Sequence, residues 1–208
     1  MKIKRFTLGP IQTNCYVAFD QSKQEGVVID PSVFDRKVID FIQKESLKIK
    51  YIFLTHGHFD HVTGAATMAR ELSARICLHP ADLSIMPVEA SGRVHQMGFS
   101  FEKFKLDIEL EDGMPFTVGW LNFTIIHTPG HSPGGVCFYE KSQGILFSGD
   151  TVFKNGYGRT DLPGGSEGKI FDSIRNKILI LPDKVAIYPG HGEETTVGQE
   201  KEYFENLL

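Results

Sequence analysis

Short apolar runs that end in glycine, proline or polar turns recur from one end of the chain to the other. Runs of this length, with many β-branched and aromatic residues, are typical of β-strands that are buried on at least one face. They predict strands at residues 14–20, 26–30, 50–55, 75–78, 121–127, 135–139, 144–148 and 184–188.

A helical pattern lies between several of these strands. In residues 34–46, apolar side chains recur every three to four positions, which predicts an amphipathic helix. Residues 64–72 and 168–179 show the same pattern less regularly and predict two more helices. Turn signals at 118–120 and 141–144 predict hairpins, so antiparallel and parallel strands are expected in one mixed sheet.

The remaining stretches bear on how the chain is organised. Residues 88–105 show no clear period and predict a mobile flap or a connector. No linker rich in proline or serine and no change of composition divides the chain, so one domain is expected over residues 1–208. With 41% hydrophobic and 23% charged residues, a chain of this length can build a sizeable core.

Charge and hydropathy exclude several classes of partner. Lysine and arginine number 22 against 26 aspartate and glutamate, which gives a net charge of -4, and no cluster of basic residues stands out. Neither a nucleic acid nor an anionic membrane is therefore expected as a partner. No secretory signal is evident, and no apolar run approaches the ~20 residues that span a bilayer.

The cysteines point to a cellular compartment. Cys15, Cys77 and Cys137 are widely separated, odd in number and set in apolar, strand-like runs. This arrangement predicts buried, reduced thiols in a cytoplasmic protein and gives no disulfide framework.

The densest chemistry follows the predicted strand at 50–55, where the sequence reads THGHFDH. A solvated loop would gain nothing from three imidazoles and a carboxylate so close together, whereas a metal site needs them. Imidazole nitrogen and carboxylate oxygen suit zinc, manganese or iron(II). Alternate residues of an extended segment share a side, so His56 and His58 are expected to hold one ion while Asp60 and His61 face a second.

Three later loops each follow a predicted strand and each offer one further ligand. The loop TPGHSPG offers His131, SGDT offers Asp150 and YPGHG offers His191. The alternatives are an incidental histidine in a turn for His131 and a helix cap for Asp150. Two metals held by neutral histidines need an anion between them, which predicts Asp150 as a bridging ligand.

Three histidines lie outside these motifs. His127 stands on a predicted strand and is expected to be half-buried or to support a ligand from behind. His79 and His95 are expected to be surface or structural residues, and no role is assigned to them.

Taken in order, THGHFDH, TPGHSPG, FSGD and PGH resemble the motifs of the metallo-β-lactamase superfamily of metal hydrolases. Residues 149–161, GDTVFKNGYGRTD, look like the glyoxalase II group, the hydroxyacylglutathione hydrolases, and in particular its short bacterial members. The resemblance implies an α/β (α+β) fold, a four-layer αβ/βα sandwich with the metal site at one edge between two sheets.

The resemblance also implies a ligand set and a reaction. His56, His58 and His131 would hold one metal, Asp60, His61 and His191 a second, and Asp150 would bridge them. Two divalent ions per chain are implied, with zinc as the first expectation and iron or manganese as alternatives. The implied nucleophile is a water activated by the metals, which Asp60 could orient, and the implied substrate is a small-molecule thioester.

Substrate contacts follow from the same resemblance. A basic residue after the bridging aspartate binds glutathione in that group, and Arg159 is similar in placement, with Lys154 and Tyr157 nearby. The alternative is a structural loop pair between Arg159 and Asp161. The chain also ends at Leu208, without the helical domain that follows in two-domain relatives, and has Glu193 where those enzymes carry tyrosine. Another thiol carrier is therefore an open alternative to glutathione.

Two other functions compete with the hydrolase. Persulfide dioxygenases are similar around GRTD and use two histidines and one aspartate on a single iron, for which His56, His131 and Asp150 are the candidates here. In a noncatalytic scaffold, the metal would only brace the fold, which requires a coordinatively closed site.

Overall fold

The structure is a computed structural model that describes residues 1–86, 95, 101–205 and 207. Two six-stranded sheets and one small hairpin form its β-structure. In the first sheet the strands are β1 Lys2–Leu8, β2 Thr13–Asp20, β3 Glu25–Ile29, β4 Lys48–Phe53, β5 Arg75–Leu78 and β6 Ile108–Glu109, in that spatial order.

The remaining strands come later in the chain: β7 Pro115–Val118, β8 Leu121–His127, β9 Val136–Glu140, β10 Ile145–Gly149, β11 Val152–Phe153, β12 Gly156–Tyr157, β13 Ala186–Pro189 and β14 Thr195–Thr196. The second sheet has the order β14-β13-β10-β9-β8-β7, while β11 and β12 form the hairpin. Each predicted strand is confirmed, with shifts of one or two residues at the ends. Strands β1, β6, β11, β12 and β14 were not predicted, and β7 was indicated only by the turn signal at 118–120.

The described helices are α1 Arg36–Lys44, α2 Phe59–Val62, α3 Ala65–Leu72, α4 Glu167–Ser173 and α5 Val197–Glu205. Helix α1 begins later than predicted because the Asp35 side chain caps it by accepting a hydrogen bond from the Lys37 amide. The helix predicted at 168–179 is α4 followed by a π-helical turn, Ile174–Ile178. Residues 101–105 have no regular structure, and the rest of the predicted flap, apart from His95, lies outside the described residues.

Three buried apolar clusters separate four layers of secondary structure. Cys15 and Val17 of β2 pack with residues of α1 and α3, whereas the alternate residues Tyr16 and Ala18 face the second sheet. On the far side of the second sheet, residues of β9, β10 and β13 pack against α4 and α5. The layers are therefore helix, sheet, sheet and helix, which confirms the αβ/βα sandwich.

The strand directions place the loops of interest together. Strands β3 and β4 are parallel, and in the second sheet β10 is parallel to β13 and antiparallel to β9. Strand β8 is also antiparallel to β9, so β8, β10 and β13 run the same way. Their carboxyl ends therefore lie at one edge of that sheet, and the predicted ligand loops follow those ends.

The cysteines match their expectation, since all three are free and buried. No helix among the described residues has both the length and the apolar composition that a membrane crossing requires.

Candidate metal centre

The structure brings the seven predicted ligand side chains together. The first donor group is His56, His58 and His131, whose ligand atoms lie within 4.8 Å of one another. His131 Nε2 is 2.8 Å from His58 Nδ1 and 3.3 Å from His56 Nε2, so the three nitrogens converge on one point. Two nitrogens that each lie 2.0–2.1 Å from a tetrahedral ion are ~3.3 Å apart, which is close to the observed spacing.

The second donor group is Asp60, His61 and His191. Asp60 Oδ2 lies 3.4 Å from His61 Nε2 and 3.2 Å from His191 Nε2. Asp60 and His61 belong to helix α2, which starts directly after His58. The His61 ring adjoins the first donor group, with its centroid 4.1 Å from that of His56, and His56, His61 and Asp150 also lie within reach of one another. The donor groups therefore overlap, and their division between two ions stays a prediction.

Asp150 lies between the two groups. Its Oδ2 atom is 3.5 Å from His131 Nε2, and its Oδ1 atom is 3.5 Å from His61 Nε2. A single carboxylate thus reaches a ligand of each group, as a bridging ligand must.

Unsatisfied buried atoms indicate that the cluster fits metal ions. Among the described residues, the buried side-chain atoms without a hydrogen-bond partner are Ser32 Oγ, His58 Nε2, His61 Nε2 and Asp150 Oδ1. Such atoms are costly in a folded protein unless another group satisfies them. Because His61 Nε2 and Asp150 Oδ1 point into the cluster, a cation between them would remove this cost.

The electrostatics differ between the two groups. Burial lowers the pKa of His58 to about 3 and holds the pKa of His56 well below its usual range, so both rings are neutral and have lone pairs to donate. Burial acts the same way on His61, but the carboxylates of Asp60, Asp150 and Asp30 outweigh it and raise the His61 pKa to about 10. The second group is therefore a place where positive charge is favoured, whether it is a proton or a metal ion.

Asp30 is a functional residue that the sequence analysis missed. Its Oδ2 atom faces His61 Nδ1 at 3.0 Å and accepts a hydrogen bond from Thr55 Oγ1 at 2.6 Å, while its Oδ1 atom accepts one from the Thr55 amide. A carboxylate in this position fixes the ring so that Nε2 faces the metal side. In the sequence, Asp30 is marked only as a lone aspartate at the end of an apolar run. In the structure, its φ is 48°.

Residues at the start of β2 hold the fourth ligand loop. The Asn14 amide donates to Gly190 O at 2.7 Å, and the Tyr16 hydroxyl donates to Pro189 O at 2.7 Å. Thr13 Oγ1 donates to Asp60 Oδ2 at 2.9 Å, so the same strand also fixes a ligand of the second group. None of these three residues was predicted to support the site.

Glycine is required where this loop meets the cluster. A Cβ atom on Gly190 would overlap Asp150 Oδ1 and lie 2.8 Å from His61 Cε1. The loop can approach the ligands this closely only because it has no side chain at this position.

The predicted substrate-binding residues lie around the hairpin that follows Asp150. Arg159 is exposed and pairs through Nε and Nη2 with Asp161, at 2.7 and 2.6 Å. Its backbone oxygen lies 2.7 Å from His131 Nδ1, where it supports that ligand. Lys154 pairs at 2.6 Å with Glu193, and both side chains are exposed.

Tyr157 has a different setting. Its ring packs on Phe171 and Phe204, in the apolar layer beneath the second sheet. Substrate contact by Arg159, Lys154 and Tyr157 stays a prediction.

His127 and His79 lie outside the donor groups, next to each other. Their rings stack with centroids 4.2 Å apart, and both are partly buried. His127 Nε2 lies 3.0 Å from Pro133 O, so this ring supports the loop that carries His131.

A sandwich of this kind, with histidine and aspartate side chains converging where its strands end, is the arrangement expected of a metallo-hydrolase. The family model of the metallo-beta-lactamase superfamily matches residues 8–191, and the chain belongs to that superfamily. The expected family is thereby confirmed.

Three relatives illustrate the similarity. Hydroxyacylglutathione hydrolase GloC of Haemophilus influenzae is 33% identical over 203 residues, which cover 97% of this chain and 95% of that protein. The crystal structure of the B3 metallo-beta-lactamase BLEG-1 has a TM-score of 0.89 at 37% identity and covers 97% of both chains. The crystal structure of TTHA1623 in a di-iron-bound form has a TM-score of 0.85 at 36% identity, covering 96% of this chain and 98% of that one.

Proposed function

We propose that the protein is a dinuclear metal hydrolase of the glyoxalase II type, which cleaves S-2-hydroxyacylglutathione or the thioester of a related thiol carrier. The observation that carries the proposal is the convergence of seven side chains in overlapping donor groups, with Asp150 3.5 Å from a histidine of each outer group. The similarity to GloC over nearly the whole chain supports a thioester as substrate.

In this proposal His56, His58 and His131 hold one ion, Asp60, His61 and His191 hold the other, and Asp150 contacts both. Zinc is the first candidate, with iron and manganese as alternatives, since this ligand chemistry accepts all three. When bound, two such cations lower the pKa of a water molecule and polarise the substrate carbonyl.

The chain's own residues would orient the reaction. Thr13 Oγ1 donates to Asp60 Oδ2, so the carboxylate is fixed and can accept a hydrogen bond from the attacking water. Asp150, the second proposed catalytic carboxylate, keeps the two ligand groups at a fixed separation. A thiolate is already a good leaving group, because the pKa of its thiol is only about 8.5, so no strong general acid is required.

Arg159 and Lys154 are the proposed contacts to the carboxylates of the carrier. Both are exposed, and each side chain pairs with an acidic residue that a substrate carboxylate can replace. Tyr157, on the same hairpin, is the third proposed substrate contact. A cytoplasmic location is also proposed, which the three free thiols support.

The mononuclear dioxygenase alternative uses only His56, His131 and Asp150. It leaves four of the side chains without a function, His58, Asp60, His61 and His191, although the last three form a complete second group. The dinuclear proposal accounts for all seven side chains.

The decisive measurement is the hydrolysis of S-D-lactoylglutathione by the zinc-loaded protein, with and without a chelator. We expect turnover that the chelator abolishes and that His58→Ala removes while the circular dichroism spectrum is retained. His95→Ala, which alters an exposed histidine outside both groups, is the matched control and should keep its activity.

Two results would count against the proposal. Unchanged turnover in His58→Ala would exclude the metal-dependent mechanism. Absence of turnover in protein shown to hold two metals would exclude glutathione thioesters, and oxygen uptake with glutathione persulfide at one iron per chain would then favour the dioxygenase.

A further inference from the structure

Asp82 is a buried carboxylate that lies outside both donor groups. It sits in a short 3-10 helix, Pro80–Ser84, and its side chain is completely shielded from solvent. Its Oδ2 atom accepts hydrogen bonds from the Gly57 amide at 2.7 Å and from Ser132 Oγ at 2.8 Å, and its Oδ1 atom accepts one from the Gly134 amide.

The hydrogen-bond donors to Asp82 belong to two loops that carry predicted metal ligands. Gly57 stands between His56 and His58, while Ser132 and Gly134 follow His131. The two loops that carry the whole first donor group are therefore tied to one carboxylate. They lie about 75 residues apart in sequence, so no local interaction aligns them.

Both loops approach the Asp82 side chain closely. A Cβ atom on Gly57 would lie 3.0 Å from Asp82 Cβ, and one on Gly134 would lie 2.8 Å from Asp82 Oδ1. Both loops thus pack directly against the Asp82 side chain, with glycine at each point of contact.

We propose that Asp82 is a positioning residue that sets the metal affinity of the first donor group by holding its two loops in register. The inference rests on the proposed metal site. Asp82 touches none of the ligands, so it would act by ordering their loops before the ion binds. Groups that orient ligands in this way typically change metal affinity by about 10- to 100-fold when they are removed.

A merely structural role has a different signature, and the chain offers a control for it. Glu140 is equally buried and accepts hydrogen bonds from Ser142 Oγ and the Gln143 amide, in the turn between β9 and β10. It contacts no ligand loop among the residues described. Glu140→Gln should therefore reproduce the loss of a buried carboxylate without its effect on the metal centre.

The test measures zinc retained per chain in buffers of fixed free zinc, together with urea unfolding of the metal-free protein. In Asp82→Asn the amide can satisfy at most two of the three donors. We expect one of the two zinc ions to dissociate at free zinc about 10 to 100 times higher than in the wild type. Glu140→Gln should lose unfolding free energy but bind both ions as the wild type does.

Ser132→Ala provides a milder variant that keeps the carboxylate and its two amide donors. It should lower the affinity for the same ion by a smaller factor. If Asp82→Asn does not fold, Ser132→Ala is the variant that tests the inference. The inference would be overturned if Ser132→Ala and Asp82→Asn retained as much zinc as the wild type, or if Glu140→Gln lost as much zinc as Asp82→Asn. Either result would leave the proposed metal site standing. Wild-type protein that binds no zinc would overturn the proposed metal site, and this inference with it.

Discussion

His61 Nδ1 lies 3.0 Å from Oδ2 of Asp30, and this contact ties the second donor group to the end of strand β3. Thr55, which directly precedes the ligand His56, donates two hydrogen bonds to the same carboxylate. Asp30 therefore aligns the first ligand loop with the strand beside it and fixes the ring of His61 at the same time.

Asp30→Asn is expected to weaken metal binding at the second group by about 10- to 100-fold, because an amide cannot accept all three hydrogen bonds. The folded state should also lose about 1–3 kcal/mol through an unsatisfied buried donor. Metal content after dialysis against a chelator series, with urea unfolding, measures both effects.

Asp20→Asn is the matched control for this variant. Asp20 also ends a strand and accepts hydrogen bonds from the Ser22 side chain and the Trp120 amide, but it contacts none of the seven ligands. Equal metal loss in the two variants would show that the Asp30 effect is only a general loss of stability.

The sequence predicts the ligands because each one is marked locally. His131, Asp150 and His191 stand in glycine-containing loops directly after apolar strands, and the strand directions then bring those loops together. The supporting residues lack such a mark. Asp82 acts through loops that only the packed fold brings to it, and no periodicity reports such a contact.

The same limit explains the missed elements. Strand β1 contains Lys2, Lys4 and Arg5, because it lies at the edge of the first sheet and needs only one neighbour, β2. The ring of Tyr157 packs against α4 and α5, a contact between distant parts of the chain that a local pattern cannot reveal.

Metal binding at the two groups should depend differently on pH. In the metal-free protein His58, with a pKa of about 3, is unprotonated near pH 7, whereas His61, with a pKa of about 10, carries a proton. A cation at the second group must displace that proton, and, despite burial, Asp60 and Asp150 raise the pKa of His191 as well, so the affinity should fall at least tenfold for each pH unit below ~9. His56 and His58 release no proton, so the affinity of the first group should vary less.

Zinc competition at about pH 6.5, 7.5 and 8.5 tests this difference, with proton release measured by calorimetry in two buffers. The same pH slope for both ions would contradict the assignment of charge to the two groups.

Gly190→Ala should disrupt the centre through a steric clash alone. The added Cβ atom would overlap Asp150 Oδ1, so the carboxylate or the loop must move. We expect a loss of about 1–3 kcal/mol in unfolding free energy and a lower metal content. Gly168→Ala is the control, because its Cβ would meet no atom within 4 Å and should stabilise helix α4 slightly. Full metal content in Gly190→Ala would refute the predicted clash.

Arg159 and Asp161 offer a pair of variants that separates substrate binding from loop structure. Both side chains are exposed, so their ion pair contributes little to stability and neither substitution should alter folding much. If Arg159 binds a carboxylate of the thiol carrier, Arg159→Ala should raise KM for S-D-lactoylglutathione about tenfold or more, since its charged hydrogen bonds to that carboxylate are lost. Asp161→Ala removes the competing carboxylate and should leave KM unchanged or lower it.

Arg159→Lys keeps the charge but not the two-pronged geometry, so its KM should lie between those of Arg159→Ala and Asp161→Ala. Steady-state kinetics that give the wild-type KM for Arg159→Ala would instead identify the pair as a structural feature of the loop.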